Sequence, residues 1–209
     1  MCETKRSIRL GAGEDLFGEG THACLVYGDE EQREATIGRF LALGLAAGEQ
    51  IGYTADETPP DEVRRWLADV DPLAVQAAGD GAFELLDACD VYAPNGVFEP
   101  GAMLETLERR YRDAMAHGYT GARVSGEMTW ALRGLPGSER LIEYEARINL
   151  IVDADPITVV CQYDARRFDG ATILDVLRVH PTMIVRGQVL RNPYYVRPEE
   201  FLAAHGGAR

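Results

Sequence analysis

The chain has 209 residues, with 34 acidic and 21 basic side chains giving a net charge of −13, and it is 46% hydrophobic and 26% charged. These are the values of a globular chain of ordinary domain size, and they exclude wholesale disorder and fibrous classes. The acidity argues against direct nucleic-acid binding, which needs a basic face; no apolar run nears the roughly 18–20 residues of a bilayer span, and MCETKRSIRL lacks a signal-peptide core, so a cytoplasmic protein without membrane contact is expected.

A glycine-rich start reads as an N-terminal extension over residues 1–20, and from there short apolar runs alternate with longer amphipathic ones. Strands are predicted at 22–27, 50–54, 83–87, 122–125 and 157–162, each bounded by Gly, Asp or Pro. Helices are predicted at 31–47, 60–69, 100–117, 138–153 and 170–179. In the third, Met103, Leu104, Leu107, Tyr111, Ala114 and Met115 recur at three- and four-residue spacing, and Gly118 follows as a C-cap. Ser138 supplies an N-cap for the fourth helix, and Pro156 marks its exit. Strand and helix in alternation predict an α/β fold, a three-layer α/β/α sandwich around a mainly parallel sheet. Residues 183–185 and 188–190 flank Arg186-Gly187 as a C-terminal β-hairpin, and 197–209 read as a tail. Both chain ends are expected to be peripheral.

In an open parallel sheet, ligands bind beyond the carboxyl ends of the strands. The residues there are Tyr27, Asp29 and Glu30 after the first strand, Asp56 and Glu57 after the second, Glu127, Thr129 and Trp130 after the fourth, and Gln162, Tyr163 and Asp164 at the end of the fifth. A phosphate loop would need GxxxxGK[ST] after the first strand, but that stretch reads YGDEEQREAT. Its acids repel phosphate, and the only lysine is Lys5. The dinucleotide pattern GxGxxG is absent there too.

The remaining chemistry-bearing residues have structural readings beside functional ones. Glu127 is either held in the site or paired with an arginine, and Arg147, which shares a helix face with Glu143 and Tyr144, is the partner expected. His22 is expected to lock the strand start through a backbone carbonyl, and His180 to cap a helix C-terminus. Trp130 and Tyr163 suit either an aromatic pocket or the core. Asp164 can cap the turn that follows it. The histidines lie on distant elements and the cysteines form no CxxC pair, so no metal cluster is expected. Cys24 and Cys161 read as buried thiols, with a redox role left open. Neither a GxSxG elbow nor a Cys-His pair is present to suggest an enzyme.

Two resemblances add to this. QIGYTADETPPDEV, GAFELLDA and GYTGARVSGEM resemble the middle of a RecA/KaiC-type ATPase core. By that resemblance Glu57 stands where such ATPases place an acid near the γ-phosphate, Glu127 at the magnesium-binding acid and Arg33 near the phosphate-loop lysine. The loop glycines and lysine are missing, so the fold is implied without ATP hydrolysis. Across 21–196, THACLVYGDEEQ, RVSGEMTWAL, ERLIEYEARIN, CQYDARRFDGATILDVLRVHP and GQVLRNPYY resemble, in order, the MEDS domain, the methanogen/methylotroph sensory domain. That resemblance implies a degenerate RecA/KaiC-like sensory domain that binds small organic compounds and controls an output module, although no helix-turn-helix or kinase domain is recognised in this sequence. The expectation is therefore a non-enzymatic sensor without cofactor or metal. Its small organic ligand would sit among Tyr27, Glu57, Glu127, Trp130, Gln162, Tyr163 and Asp164, with His22, Glu143, Tyr144 and Arg147 as structural support. A separate output protein of kinase, anti-sigma or transcription-factor type would be its partner, and a homodimer is also expected. Two alternatives stay open: an ATPase-derived interaction scaffold, and a nucleotide hydrolase using Glu57 and Glu127.

Overall fold

Short apolar strands joined by long crossovers have to pair in parallel, because a crossover helix returns the chain to the same end of the sheet. The computed structural model, which describes residues 5–77 and 81–205, follows that logic. Its strands are β1 Ser7–Ile8, β2 Phe17–Gly18, β3 His22–Tyr27, β4 Gln50–Ala55, β5 Phe83–Asp87, β6 Ala122–Glu127, β7 Thr158–Asp164, β8 Thr182–Val185 and β9 Gln188–Arg191. Its helices are α1 Glu30–Ala46, α2 Pro60–Val70, α3 Pro72–Ala77, α4 Ala88–Tyr92, α5 Pro100–Ala116, α6 Leu141–Ala154, α7 Gly170–Val179 and α8 Pro198–His205. The main sheet has seven strands in the order β5-β4-β6-β7-β3-β8-β9, all parallel except β9, while β1 and β2 form a separate antiparallel pair. The predicted hairpin is β8–β9, and its turn residues Arg186 and Gly187 both have positive φ, as a two-residue turn of that hand requires.

Strand alternation divides the core into two layers. Leu25, Tyr27, Ile51, Tyr53 and Val160 pack against Ile37, Phe40 and Leu41 of α1 and against Val63, Trp66 and Leu67 of α2. Cys24, Val159, Cys161 and Tyr163 face Leu104 and Leu107 of α5, Tyr144 and Ile148 of α6, and Val176 of α7. Strands β6 and β7 run farther than predicted, because the polar pair Glu127 and Gln162 continues the ladder and Tyr27 lies in register with Asp164. The helix predicted from Ser138 begins as a 3-10 turn over Ser138–Arg140, before α6. The short helices α3, α4 and α8 carry too few turns for periodicity to reveal them.

The segments at the two ends are less peripheral than expected. Ile8, Leu10 and Ala12 are buried in the core, and Arg6 reaches both Glu19 and Glu49. At the other end α8 buries Phe201 with Ala146 and Val179, and the Arg178 guanidinium lies 5.2 Å from the Phe201 ring. Among the described residues no helix is long and apolar enough to cross a membrane.

Gly11 shows how closely the N-terminal segment is seated. It has φ +88°, and a Cβ there would stand 2.3 Å from the carbonyl oxygen of Thr36. Gly11→Ala should therefore cost about 1–3 kcal/mol, read as a lower urea midpoint with an unchanged slope. An unchanged midpoint would show that the segment does not contribute to the cooperative core.

Candidate functional site

At the carboxyl end of the sheet, period-two alternation points Tyr27, Tyr53, Glu127 and Gln162 at the first turns of α1. Asp29 caps that helix, its side chain accepting from the Glu31 amide at 2.9 Å. The next turn projects Arg33 into the centre. Its Nη2 donates to Glu127 Oε1 at 2.6 Å, Thr58 Oγ1 at 2.5 Å and Tyr53 Oη at 3.1 Å, and its Nε donates to Gln162 Oε1 at 2.9 Å. The Tyr27 and Trp66 rings each lie 5.1 Å from the guanidinium carbon. Glu127 is equally occupied: Oε1 also accepts from Tyr53 at 2.7 Å, and Oε2 accepts the backbone amides of Asp56, Glu57 and Thr58 at 3.0, 2.8 and 3.3 Å. Burial opposes ionisation of Glu127, but the Arg33 charge and these hydrogen bonds outweigh it and hold the carboxyl below its ordinary value. Burial pushes the Tyr27 hydroxyl up to about 12.

The partner of Glu127 is thus Arg33, not Arg147. Arg147 instead lies 3.4 Å from Glu143, on a part-exposed stretch of α6 where Glu143 also accepts from Arg140. A signal was present in the sequence, since Arg33 occupies the position matched to the phosphate-loop lysine. Of the other predicted residues, Glu57 gives only its amide to Glu127, and its half-exposed carboxylate pairs with Arg167. Asp164 accepts the Arg166 amide at 2.9 Å, the turn-capping role expected of it, and also pairs with the Arg166 guanidinium at 2.7 Å.

Trp130 and Tyr163 are not in this group. Trp130 is fully buried, stacked on Tyr92 at 4.6 Å and 4.7 Å from Phe98, with Tyr144 packed edge-on against Phe98. Tyr163 directly follows Gln162, so the pleat sends it to the opposite face, where its hydroxyl donates to Glu145 Oε1 at 2.5 Å.

On that opposite face a second polar group assembles that sequence spacing did not reveal. His22 reaches side chains rather than a backbone carbonyl: Nδ1 lies 3.2 Å from Asn149 Oδ1 and Nε2 3.1 Å from Glu145 Oε2. Cys161 Sγ is 3.3 Å from the same Glu145 oxygen, and His180 Nε2 is 3.4 Å from it. His180 also caps its helix as expected, with Nδ1 2.8 Å from the Val176 carbonyl. The ligand-type atoms of His22, Glu145, Cys161 and His180 all lie within 4.8 Å of one another, and all four residues are buried. Distant histidines therefore do converge with a cysteine and a carboxylate, against the expectation from spacing. Burial drives His22 down to about 4, while the contacts of His180 and His22 overcome burial to keep Glu145 below its ordinary value. Burial pushes both Cys24 and Cys161 up, the opposite of a reactive thiolate.

Of the cavities among the described residues, two lie at opposite ends of the sheet. One of about 280 Å³ lies at the carboxyl end, beside Glu57, Thr58 and Leu86. The other, about 800 Å³, opens at the amino end of β3 between the β1–β2 pair, the end of α6 and the β8–β9 hairpin, where His22, Asn149, Val152, Leu190 and Tyr195 line it.

A family model described as the MEthanogen/methylotroph, DcmR Sensory domain (MEDS) matches residues 21–181. The chain belongs to the MEDS family. Over 160 residues this MEDS chain is 29% identical to the transcriptional repressor DcmR of Methylorubrum extorquens (strain DSM 6343 / CIP 106787 / DM4), a match that covers 76% of this chain and 57% of the repressor. The chain thus spans little more than half the length of that relative. Among solved structures, a KaiC-like protein of Pyrococcus horikoshii OT3 aligns with TM-score 0.58 and 15% identity, over 86% of this chain and 79% of the other. The flagellar accessory protein FlaH of Methanocaldococcus jannaschii aligns with TM-score 0.53 and 12% identity, over 82% and 75%. These two neighbours show the KaiC/RecA-like fold, and the family to which the chain belongs is that of a sensory domain.

In this MEDS domain Glu127→Gln should cost about 3–5 kcal/mol at neutral pH, because it leaves Arg33 charged and buried without its counter-ion. At this chain length that is a fall in Tm on the order of 10 °C. The lowered pKa of Glu127 means the unfolded chain takes up a proton the folded chain refuses, so its stabilisation is complete above the ordinary carboxylate range and fades as pH falls through the folded value. Urea titrations between about pH 6 and pH 3 should show a shallower acid loss for the variant than for the wild type.

Proposed function

We propose that this domain senses a small organic molecule, turns over no substrate, and conveys its ligand state to a separate output protein of kinase, anti-sigma or transcription-factor type. The observation that carries the reading is the Arg33 guanidinium, locked by Glu127, Thr58, Tyr53 and Gln162 in the crevice where the ATPase resemblance places phosphate and magnesium. Both oxygens of Glu127 are already filled, so the acid that would hold magnesium acts here as a structural clasp. Tyr27 and Gln162 belong to the same clasp. The ligand is then assigned to the larger cavity at the amino end of β3, whose volume of about 800 Å³ suits a small molecule and whose lining mixes apolar Val152 and Leu190 with polar Asn149 and Tyr195. Its walls come from three separately connected pieces of chain, so a ligand that prefers one arrangement of them shifts the outer surface an output protein reads. The relation to DcmR, a transcriptional repressor, supports a regulatory output of this kind.

A thermal-shift comparison of Mg-ATP, Mg-GTP and a panel of small organic compounds tests this. A compound at ~100 times its Kd should stabilise by about 2.7 kcal/mol, and Leu190→Trp, at a part-exposed position in the cavity wall, should abolish that shift. A shift with nucleotide alone, or phosphate release that Glu127→Gln removes, would overturn the reading.

A further inference from the structure

We propose that His22, Glu145, Cys161 and His180 form a four-coordinate site for a divalent transition-metal ion of the zinc type, buried between the sheet and α6. The site stands whether or not the neighbouring cavity takes an organic ligand.

The ligand-atom separations come close to those of a tetrahedral site. Metal bonds of about 2.0–2.3 Å to nitrogen, oxygen and sulfur require ligand atoms about 3.3–3.8 Å apart. Four of the six separations here are 3.1, 3.3, 3.4 and 3.7 Å, and all six lie within 4.8 Å. The donor set is also selective. Two imidazoles, a thiol and one carboxylate suit zinc and its neighbours, whereas magnesium and calcium call for shells of oxygen.

Hydrogen bonding around the ligands prepares both rings. Asn149 directs its Nδ2 at the Ala146 and Val179 carbonyls, so its Oδ1 faces His22 and accepts from Nδ1. The Val176 carbonyl accepts from Nδ1 of His180. With each proton placed on Nδ1, both Nε2 lone pairs turn toward Glu145 Oε2, acceptor against acceptor, and His180 Nε2 is a fully buried atom with no hydrogen-bond partner. A cation at the centre converts that opposition into bonds. Tyr163 donates to the other oxygen, Oε1, and leaves Oε2 for the metal.

Charge points the same way. The other buried glutamates and aspartate each have an arginine: Glu49 has Arg123, Glu127 has Arg33 and Asp164 has Arg166. Glu145 has only histidines among its ion-pair partners in the described residues. A divalent ion held by the Glu145 carboxylate, the Cys161 thiolate and two neutral imidazoles has no net charge, as a fully buried site favours. On binding, the thiol proton leaves to solvent and the sulfur–metal bond replaces it.

The test strips the full chain with a chelator and titrates it with Co²⁺ as the probe, followed by Zn²⁺. One equivalent of Co²⁺ should give the intense visible bands of a four-coordinate ion together with a near-ultraviolet sulfur-to-cobalt band, and Zn²⁺ should bleach both and raise the Tm. The sulfur band should persist when Cys2, Cys24 and Cys89 are all replaced by serine, which leaves Cys161 as the sole thiol, and should vanish in Cys161→Ser. Wild-type protein with folded circular dichroism that gives no such bands, bands that survive Cys161→Ser, or a sulfur band lost with the other three cysteines would each overturn the site.

Discussion

A carboxylate removed from water has to be met by donors on every side, and in this fold one carboxylate so placed is Glu127 at the end of the interior strand β6. Its two oxygens take a guanidinium, a tyrosine hydroxyl and three consecutive amides, which join α1, β4, β6 and the start of the β4–α2 loop at one point. Gln162 extends the junction to β7 by accepting from Arg33, and its own amide donates to Ser125 Oγ at 2.9 Å. Interactions of this kind gain little over a well-packed apolar core but are costly to break, since either partner alone is a buried charge. They fix the position of the loop more than they add to stability.

The same clasp occupies the crevice at the carboxyl end of the sheet. A parallel α/β sheet offers its carboxyl end as a ligand site, yet here that end holds Arg33, whose Nε and Nη2 are turned inward to Gln162, Glu127, Thr58 and Tyr53 while Nη1 pairs with the half-exposed Glu30. The larger open volume lies at the other end of β3, where the N-terminal segment and the C-terminal hairpin line it. The KaiC/RecA-like fold is retained, and its larger cavity is walled partly by the segments that precede β3 and follow α7.

Two polar networks therefore lie back to back across one sheet. Gln162 and Tyr163, adjacent in β7, serve opposite sides, one accepting from Arg33 and the other donating to Glu145. One network is closed by arginine and the other by histidine and cysteine. The difference matters chemically, because an arginine only completes a charge pair whereas imidazole and thiol can also hold a metal.

Much of this was already determined by sequence. The βα rhythm, the hairpin at Arg186-Gly187, the missing phosphate loop, the cap roles of Asp164 and His180 and the family motifs depend on residues close together in the chain, and local periodicity or an ordered motif captures them. Burial of Leu10 and Phe201 was not evident, because a short apolar segment shows no period and its packing surface lies on distant elements. The partner of Glu127 was misassigned to Arg147 for a related reason: a helix face orders neighbours three and four apart, but which helix lies over a strand end is set by the crossover. Convergence of His22, Glu145, Cys161 and His180 was beyond any spacing rule. It arises from the parallel register of β3 with β7 and from the packing of α6 and the end of α7 over them, so strand order and the pleat, rather than distance along the chain, decided which polar residues meet.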